Sequence, residues 1–214
     1  MANVVEVAHP LIQHHLVRLR DRRTQPSEFR RLIGRLAVLL AYEATQDLPV
    51  RSVHVQTPIA ETTGYVLQQR IGLVPILRAG LGMVEPILNL IPNAEVWHLG
   101  LYRDEETAQP VEYYSRLSTQ HPVDLAFVLD PMLATGGSAT SALATIRNHG
   151  IPQAMLLSVI AAVDGIRAVE TEFPETPIYV CAIDRQLNDQ KFIVPGLGDA
   201  GDRIFNTNLD RNDL

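Results

Sequence analysis

An α/β fold built on an open, mainly parallel sheet flanked by helices is the architecture this sequence predicts, and three observations predict it. Short β-branched runs alternate with stretches of helical spacing from residue 50 to residue 183. Several of these runs are apolar on consecutive residues, as in Leu125-Ala126-Phe127-Val128-Leu129, which suits strands covered on both faces by crossover helices. Two of them lead directly into glycine-bearing loops followed by a helical pattern. With 46% hydrophobic residues among 214, the chain has apolar side chains enough for one sizeable core, so a single domain over 1–214 is expected.

The elements follow in order. An N-terminal helical arm comes first. Behind Thr24-Gln25-Pro26-Ser27, Phe29, Leu32, Ile33, Leu36 and Leu40 recur at helical spacing, and a capping hydroxyl with an early proline suits a helix start, so one long helix is predicted over 27–45. Strands are predicted at 50–56, 72–77, 96–102, 124–129, 154–163 and 178–183, with helices between them. The stretch 96–117 departs from the alternation: an extended run, an acidic turn Asp104-Glu105-Glu106-Thr107, and a second run with Tyr113 and Tyr114 predict a protruding β-hairpin. Such an arm can serve as an oligomer clasp or as an active-site cover.

The apolar runs 36–42 and 155–163 are too short to cross a bilayer, and the N-terminus lacks a signal-peptide pattern, so a soluble cytoplasmic protein is expected. The one cysteine, Cys181, lies in the apolar run 178–183, which predicts a buried thiol and no internal disulfide. A net charge of −6 argues against general affinity for nucleic acid or acidic membranes. Within residues 1–35, Arg18, Arg20, Arg22, Arg23, Arg30, Arg31 and Arg35 outnumber Glu6, Asp21 and Glu28, and a solvated helix face is the expected explanation. His9, His14 and His15 lack a carboxylate trio nearby and are expected at a surface or interface.

Chemistry is most legible in Asp130-Pro131-Met132-Leu133-Ala134-Thr135-Gly136-Gly137-Ser138, which runs from a buried strand through small residues into the helix predicted over 139–148. Glycines let backbone approach an anion, successive N–H groups form a nest, and a helix N-terminus adds partial positive charge. Thr135 and Ser138 supply hydroxyls to the same phosphate, and Asp130 can accept hydrogen bonds from ribose hydroxyls at the strand's carboxyl end. Neither G-x-G-x-x-G nor the P-loop lysine is present, so a dinucleotide site and a P-loop are not indicated.

An acidic residue at a strand end with Thr-Gly-Gly five residues later resembles the phosphoribosyl diphosphate (PRPP) signature of the phosphoribosyltransferase family. That family usually has two adjacent acids here; Asp130-Pro131 in their place resembles the uracil-specific branch. Two further segments extend the resemblance. Val74-Pro75-Ile76-Leu77-Arg78-Ala79-Gly80-Leu81-Gly82-Met83 is similar to the family's pyrophosphate loop, which implies that Arg78, Ala79 and Gly80 hold the leaving pyrophosphate. Arg103, at the base of the hairpin, is implied to reach it from the other side. Ile193-Val194-Pro195-Gly196-Leu197-Gly198-Asp199-Ala200-Gly201-Asp202 resembles the C-terminal base-binding loop of uracil phosphoribosyltransferases, where main-chain groups near Ile193, Gly198, Asp199 and Ala200 read the pyrimidine edge.

The resemblance implies transfer of the phosphoribosyl group from PRPP to uracil, giving UMP and diphosphate, with Mg²⁺ held mainly through PRPP and Asp199 as a further contact. It also implies GTP as an activator and a homodimer or larger homo-oligomer. No general base for uracil N1 is legible, and Asp199 is a candidate only by position. Lys191-Phe192 stands where the family more often shows Gly-Tyr, and Asn206 where glycine is usual. Two rival readings are a phosphoribosyltransferase using a purine or orotate, and an RNA-binding regulator supported only by the basic N-terminal segment.

Overall fold

A computed structural model describes residues 4–103, 110–115 and 122–207, the side chains of 101–103 and 110–115 excepted. In chain order the elements begin with strand β1 (Val4–Glu6) and helices α1 (Pro10–Arg20) and α2 (Pro26–Ala44). The hairpin β2 (Val50–Gln56) and β3 (Glu61–Leu67) follows, then β4 (Ile71–Pro75), α3 (Leu81–Leu90) and β5 (Glu95–Val96). A second hairpin pairs β6 (Leu99–Arg103) with β7 (Pro110–Ser115). The remainder is β8 (Leu125–Leu129), β9 (Met132–Leu133), α4 (Gly137–Asn148), β10 (Gln153–Ala162), α5 (Val163–Glu172), β11 (Ile178–Asp184), β12 (Gln186–Leu187), β13 (Ile193–Val194) and α6 (Ala200–Phe205).

Local chemistry explains why the helices start where they do. His9 caps α1, its Nδ1 accepting from the Leu11 N–H at 3.1 Å, and Pro10 and Pro26 occupy the first helical positions where a missing N–H costs nothing. The predicted apolar stripe of α2 is fully buried at Phe29, Leu32, Ile33, Leu36 and Leu40. The helix begins at Pro26 and ends at Ala44, within a residue of expectation.

The central sheet has seven strands, and every pairing in it is parallel. Its order is β1-β11-β10-β8-β4-β5, with β9 extending the pairing of β10. Along β8 the side chains alternate between two cores. Leu125, Phe127 and Leu129 pack with α1, α2 and α3, whereas Ala126 and Val128 pack with α4 and α5. The consecutive apolar run is thereby explained, since both faces of this strand are covered. Truncating Phe127 to alanine would cost roughly 3–5 kcal/mol.

Strand order also fixes where a ligand can bind. From β4 the chain crosses by α3 to β5 on one side; from β8 it crosses by α4 to β10 on the other. β4 and β8 are neighbours, so the crossovers diverge there and leave a crevice at their carboxyl ends.

Two strand predictions are corrected. Residues 50–56 form a strand, but it pairs antiparallel with β3 in a separate ribbon exposed along nearly its whole length. Residues 96–102 are not one strand. β5 ends at Val96 in the main sheet and β6 starts at Leu99 in the predicted hairpin, whose acidic turn lies outside the described residues. Cys181 is buried, and burial pushes its thiol pKa well up. Among the described residues no helix is long and apolar enough to cross a membrane.

Candidate functional site

The segment after β8 turns under itself before entering α4, and the rest of the fold holds it there. Asp130 N–H donates to Leu157 O at 3.3 Å, Ile160 N–H donates to Pro131 O at 3.0 Å, and β9 pairs with β10. Gly136 has φ +86°, and a Cβ there would fall 2.6 Å from Ala168 Cβ and 2.9 Å from Gly165 O, so α5 leaves room for glycine alone. Helix α4 starts at Gly137, two residues before the predicted start, which puts its first N–H groups within the loop itself.

Asp130 is partly open to the crevice, yet protein packs densely round its carboxyl. That desolvation pushes its pKa up to about 7, against the lowering effect of a hydrogen bond from the Met132 N–H at 3.2 Å. A carboxyl poised near neutrality at the end of a buried strand fits a functional position better than a structural one.

Beyond β4, residues Leu77 to Gly80 form the turn into α3, with the Leu77–Arg78 peptide in the cis form. The Arg78 side chain extends into solvent and meets Asp202 of α6, Nη2 to Oδ1 at 3.0 Å, with Thr207 Oγ1 at 3.3 Å from Nη1. Hydrogen bonds from the Thr207 hydroxyl and from Arg78 hold the Asp202 carboxyl below its usual range. This partner of Arg78 was not predicted.

The glycine-rich segment 193–199 leads from β13 into α6. Asp199 caps that helix, Oδ1 accepting from the Asp202 N–H at 2.9 Å. Among the described residues the two non-glycine positions with left-handed backbone are Lys191, φ 65°, and Asn206, φ 58°. These are the two positions where the resemblance leads one to expect glycine. Glycine adopts this conformation freely, and asparagine tolerates it better than lysine.

A pocket of about 360 Å³ gathers much of this together: Asp130, the loop from Met132 to Ser138, and Ile193 and Asp199 from the C-terminal segment all line it. Gln190, Lys191 and Phe192 complete the wall facing the loop. In the sequence alone, Lys191 and Phe192 mark only departures from the resemblance. Arg78, Ala79 and Gly80 stand outside this pocket, joined to it through Asp202 and the adjoining Asp199. Pro131 and Ala200 are buried behind it, and Gly198 is exposed beside it. Arg103 ends β6, and its side chain lies outside the described residues.

Comparison with known proteins shows the family. A family model described as Uracil phosphoribosyltransferase matches residues 5–207. The uracil phosphoribosyltransferase of Roseiflexus sp. (strain RS-1) is 54% identical over 207 residues, covering 97% of this chain and 100% of that one. That of Bacillus cereus (strain B4264) is 50% identical over 200 residues, covering 93% and 96%. A solved structure of a protein from Aquifex aeolicus superposes with a TM-score of 0.90 at 40% identity, covering 95% of this chain and 98% of that one. A purine phosphoribosyltransferase from Pyrococcus horikoshii Ot3, 9% identical with a TM-score of 0.50 over 72% of this chain and 84% of that one, shares the fold.

Proposed function

The chain belongs to the uracil phosphoribosyltransferase family, and from that membership we propose how its residues divide the work of moving a phosphoribosyl group from PRPP to uracil. The products are UMP and diphosphate. The carrying observation is the shared pocket, in which an anion-binding loop at 132–138 faces Ile193 and Asp199 across a space sized for a nucleotide.

The reaction breaks the bond between ribose C1 and diphosphate, so positive charge builds on the sugar and negative charge on the leaving group. Uracil N1 forms the new bond from the opposite face and gives up its proton. The N–H nest at 135–138 and the hydroxyls of Thr135 and Ser138 hold the 5′-phosphate. Asp130, when ionised, accepts from the ribose hydroxyls, and Pro131 to Ala134 shape the turn beneath them. Arg78 grips the diphosphate through a two-pronged guanidinium, with the Ala79 and Gly80 backbone beside it and Arg103 opposite. These groups are fixed before charge develops, so they stabilise the transition state more than the ground state. Main-chain groups at Ile193, Gly198 and Ala200 read the uracil edge, and Asp199 stands between base and diphosphate.

The donor set fits Mg²⁺ bound through substrate. Asp130 and Asp199 offer hard carboxylate oxygens in the pocket, while among the described residues no group of three His, Cys, Asp or Glu forms a cage of its own. Bound there, Mg²⁺ would supply neutralisation of the diphosphate charge.

Association and regulation belong to the same proposal. A two-stranded ribbon is marginal by itself, and the exposed β2–β3 hairpin supports a homodimer or larger homo-oligomer. Sedimentation should give at least a dimer at micromolar concentration. GTP activation rests on the family resemblance, and a rate increase on adding GTP checks it. A single buried thiol suits the cytoplasm.

The test is a base screen with PRPP and Mg²⁺, following diphosphate release. Uracil should be converted, and cytosine, adenine, guanine and orotate should not. A purine turned over faster than uracil would sink the proposal.

A further inference from the structure

The basic N-terminal segment holds one arginine that is not on a solvated face. Arg20, the last residue of α1, reaches across 164 positions of sequence to Asp184, the last residue of β11. The pair is bidentate, Nη1 to Oδ2 at 2.7 Å and Nη2 to Oδ1 at 2.9 Å. Both partners also hold the same third residue. Arg20 Nη1 donates to Gly196 O at 2.9 Å, and Gly196 N–H donates to Asp184 Oδ2 at 3.1 Å.

The Gly196 backbone packs directly against that of Ile193, three residues earlier. It has φ +63°, and a Cβ there would fall 2.0 Å from Ile193 O, so the turn 193–196 is closed on itself. Pinning Gly196 at both its N–H and its C=O therefore pins Ile193, which lines the pocket. The far end of the segment is held by a second arginine. Arg203 donates to Leu197 O at 2.7 Å, Leu19 O at 2.8 Å and Asp21 O at 2.7 Å, and its guanidinium lies 4.2 Å over the Phe29 ring. Leu19 and Asp21 flank Arg20, so both anchors run to the end of α1.

We infer that Arg20 and Asp184 are positioning residues for uracil recognition: as one ion pair they hold both backbone polar groups of Gly196 and so set the register of the Ile193 to Ala200 main chain against the base. The inference rests on the proposed reading of that segment as the base-binding loop. Its energetic logic is that an ion pair with a buried carboxylate is a poor device for stability alone. Desolvating both charges costs about what their attraction returns, and apolar replacements of similar volume are often neutral. What the pair provides here is direction, because a planar guanidinium fork and a carboxylate fix two backbone atoms of the loop, the N–H and the C=O of Gly196. Neither Arg20 nor Asp184 lines the pocket, so the pair acts through Gly196.

Removing one partner would strand a buried charge, so the informative variant removes both. R20M/D184L leaves no unpaired charge and should fold, while Gly196 loses both side-chain contacts. In steady-state kinetics with uracil varied at saturating PRPP and Mg²⁺, its KM for uracil should rise by about 10- to 100-fold, the cost of misplacing a binding group by about 1 Å. The KM for PRPP should stay within about twofold, because the loop at 130–138 is untouched. R20K, which keeps the charge and loses the fork, should fall between wild type and the double variant. Gly198→Ala, inside the segment, is measured beside them. If it raises the uracil KM and R20M/D184L does not, the positioning role is overturned while the base-loop reading stands. If neither raises it, both are overturned. A double variant that melts at lower temperature with an unchanged uracil KM marks the pair as merely structural and also overturns the inference.

Discussion

Two arginine–aspartate pairs anchor the segment from Ile193 to Asp202, and they differ in how far water reaches them. In Arg20–Asp184 the side chains are 24% and 7% exposed; in Arg78–Asp202 they are 57% and 31% exposed. The less exposed pair shares its hydrogen bonds with a loop backbone, which holds it in place. The open pair has one direct contact of 3.0 Å, and an exposed pair of this kind is worth about 0.2–1 kcal/mol. A diphosphate presents more charge than one carboxylate, so it can take Arg78 from Asp202 at little cost. The difference separates holding from exchanging: on the proposed reading of the site, the base side is built to stay and the diphosphate side to change partners.

The sharpest way to break that contrast is to delete the exchanging arginine. Arg78→Ala should lower both kcat and kcat/KM for PRPP by on the order of 10²-fold or more, as when one preorganised donor for developing negative charge is removed. Stability should change by less than about 1 kcal/mol, since an exposed charge contributes little. Arg167→Ala, on the exposed face of α5, is the control and should leave rate and melting temperature near wild type. If Arg78→Ala matches that control in kinetics, Arg78 does not hold the diphosphate.

A second test concerns charge at the floor of the pocket. With its pKa raised to about 7, Asp130 favours the protonated form in the fold. The stability it lends is complete below its ordinary value and is lost as pH rises through about 7. Asp130→Asn removes the cost of ionisation, so its melting temperature should climb relative to wild type between pH 4 and pH 7 and level off above. The gain should reach on the order of 2 kcal/mol after water entry and relaxation relieve part of the full effect. Conversely, kcat/KM for PRPP in the wild type should fall as pH drops below 7, because ribose hydroxyls then lose their acceptor. Parallel melting curves for the two proteins across this range would remove Asp130 from the account.

Smaller effects sharpen the comparison. If Asp202 only occupies Arg78 until substrate arrives, Asp202→Ala should lower the KM for PRPP by at most about fivefold, the equivalent of an exposed pair's contribution. A large rise in that KM would instead make Asp202 a support for Arg78. Smallest of all, Lys191→Gly should stabilise the protein by roughly 1 kcal/mol, since glycine adopts φ 65° without the cost borne by lysine. An unchanged or lowered melting temperature would show that the lysine side chain makes up for its backbone.

What the sequence disclosed and what it hid follow the range of the interactions. The loop that enters α4 was legible because its glycines, hydroxyls and helix start are contiguous at 130–138, and α2 because its apolar stripe repeats within one helix. The β2–β3 ribbon was misassigned because β-branched runs such as Val50 to Val55 look alike in a covered parallel strand and in an exposed hairpin; only pairing tells them apart. Arg20–Asp184 and Arg78–Asp202 join residues 164 and 124 positions apart, and no local pattern marks them. Lys191 and Asn206 stood out only as departures from glycine, and their meaning came from their backbone angles.

The central claim is that one pocket at the carboxyl edge of β8 holds a phosphate at 135–138 and a pyrimidine at the segment pinned through Gly196. A crystal structure of the protein with UMP bound tests it most directly. The 5′-phosphate should accept hydrogen bonds from the N–H groups of Thr135 to Ser138, with the uracil edge against the main chain of Ile193 and Ala200 and Gly196 still bonded to Arg20 and Asp184. UMP bound with its base away from the Ile193 to Ala200 segment, or with its phosphate outside the loop, would contradict the account.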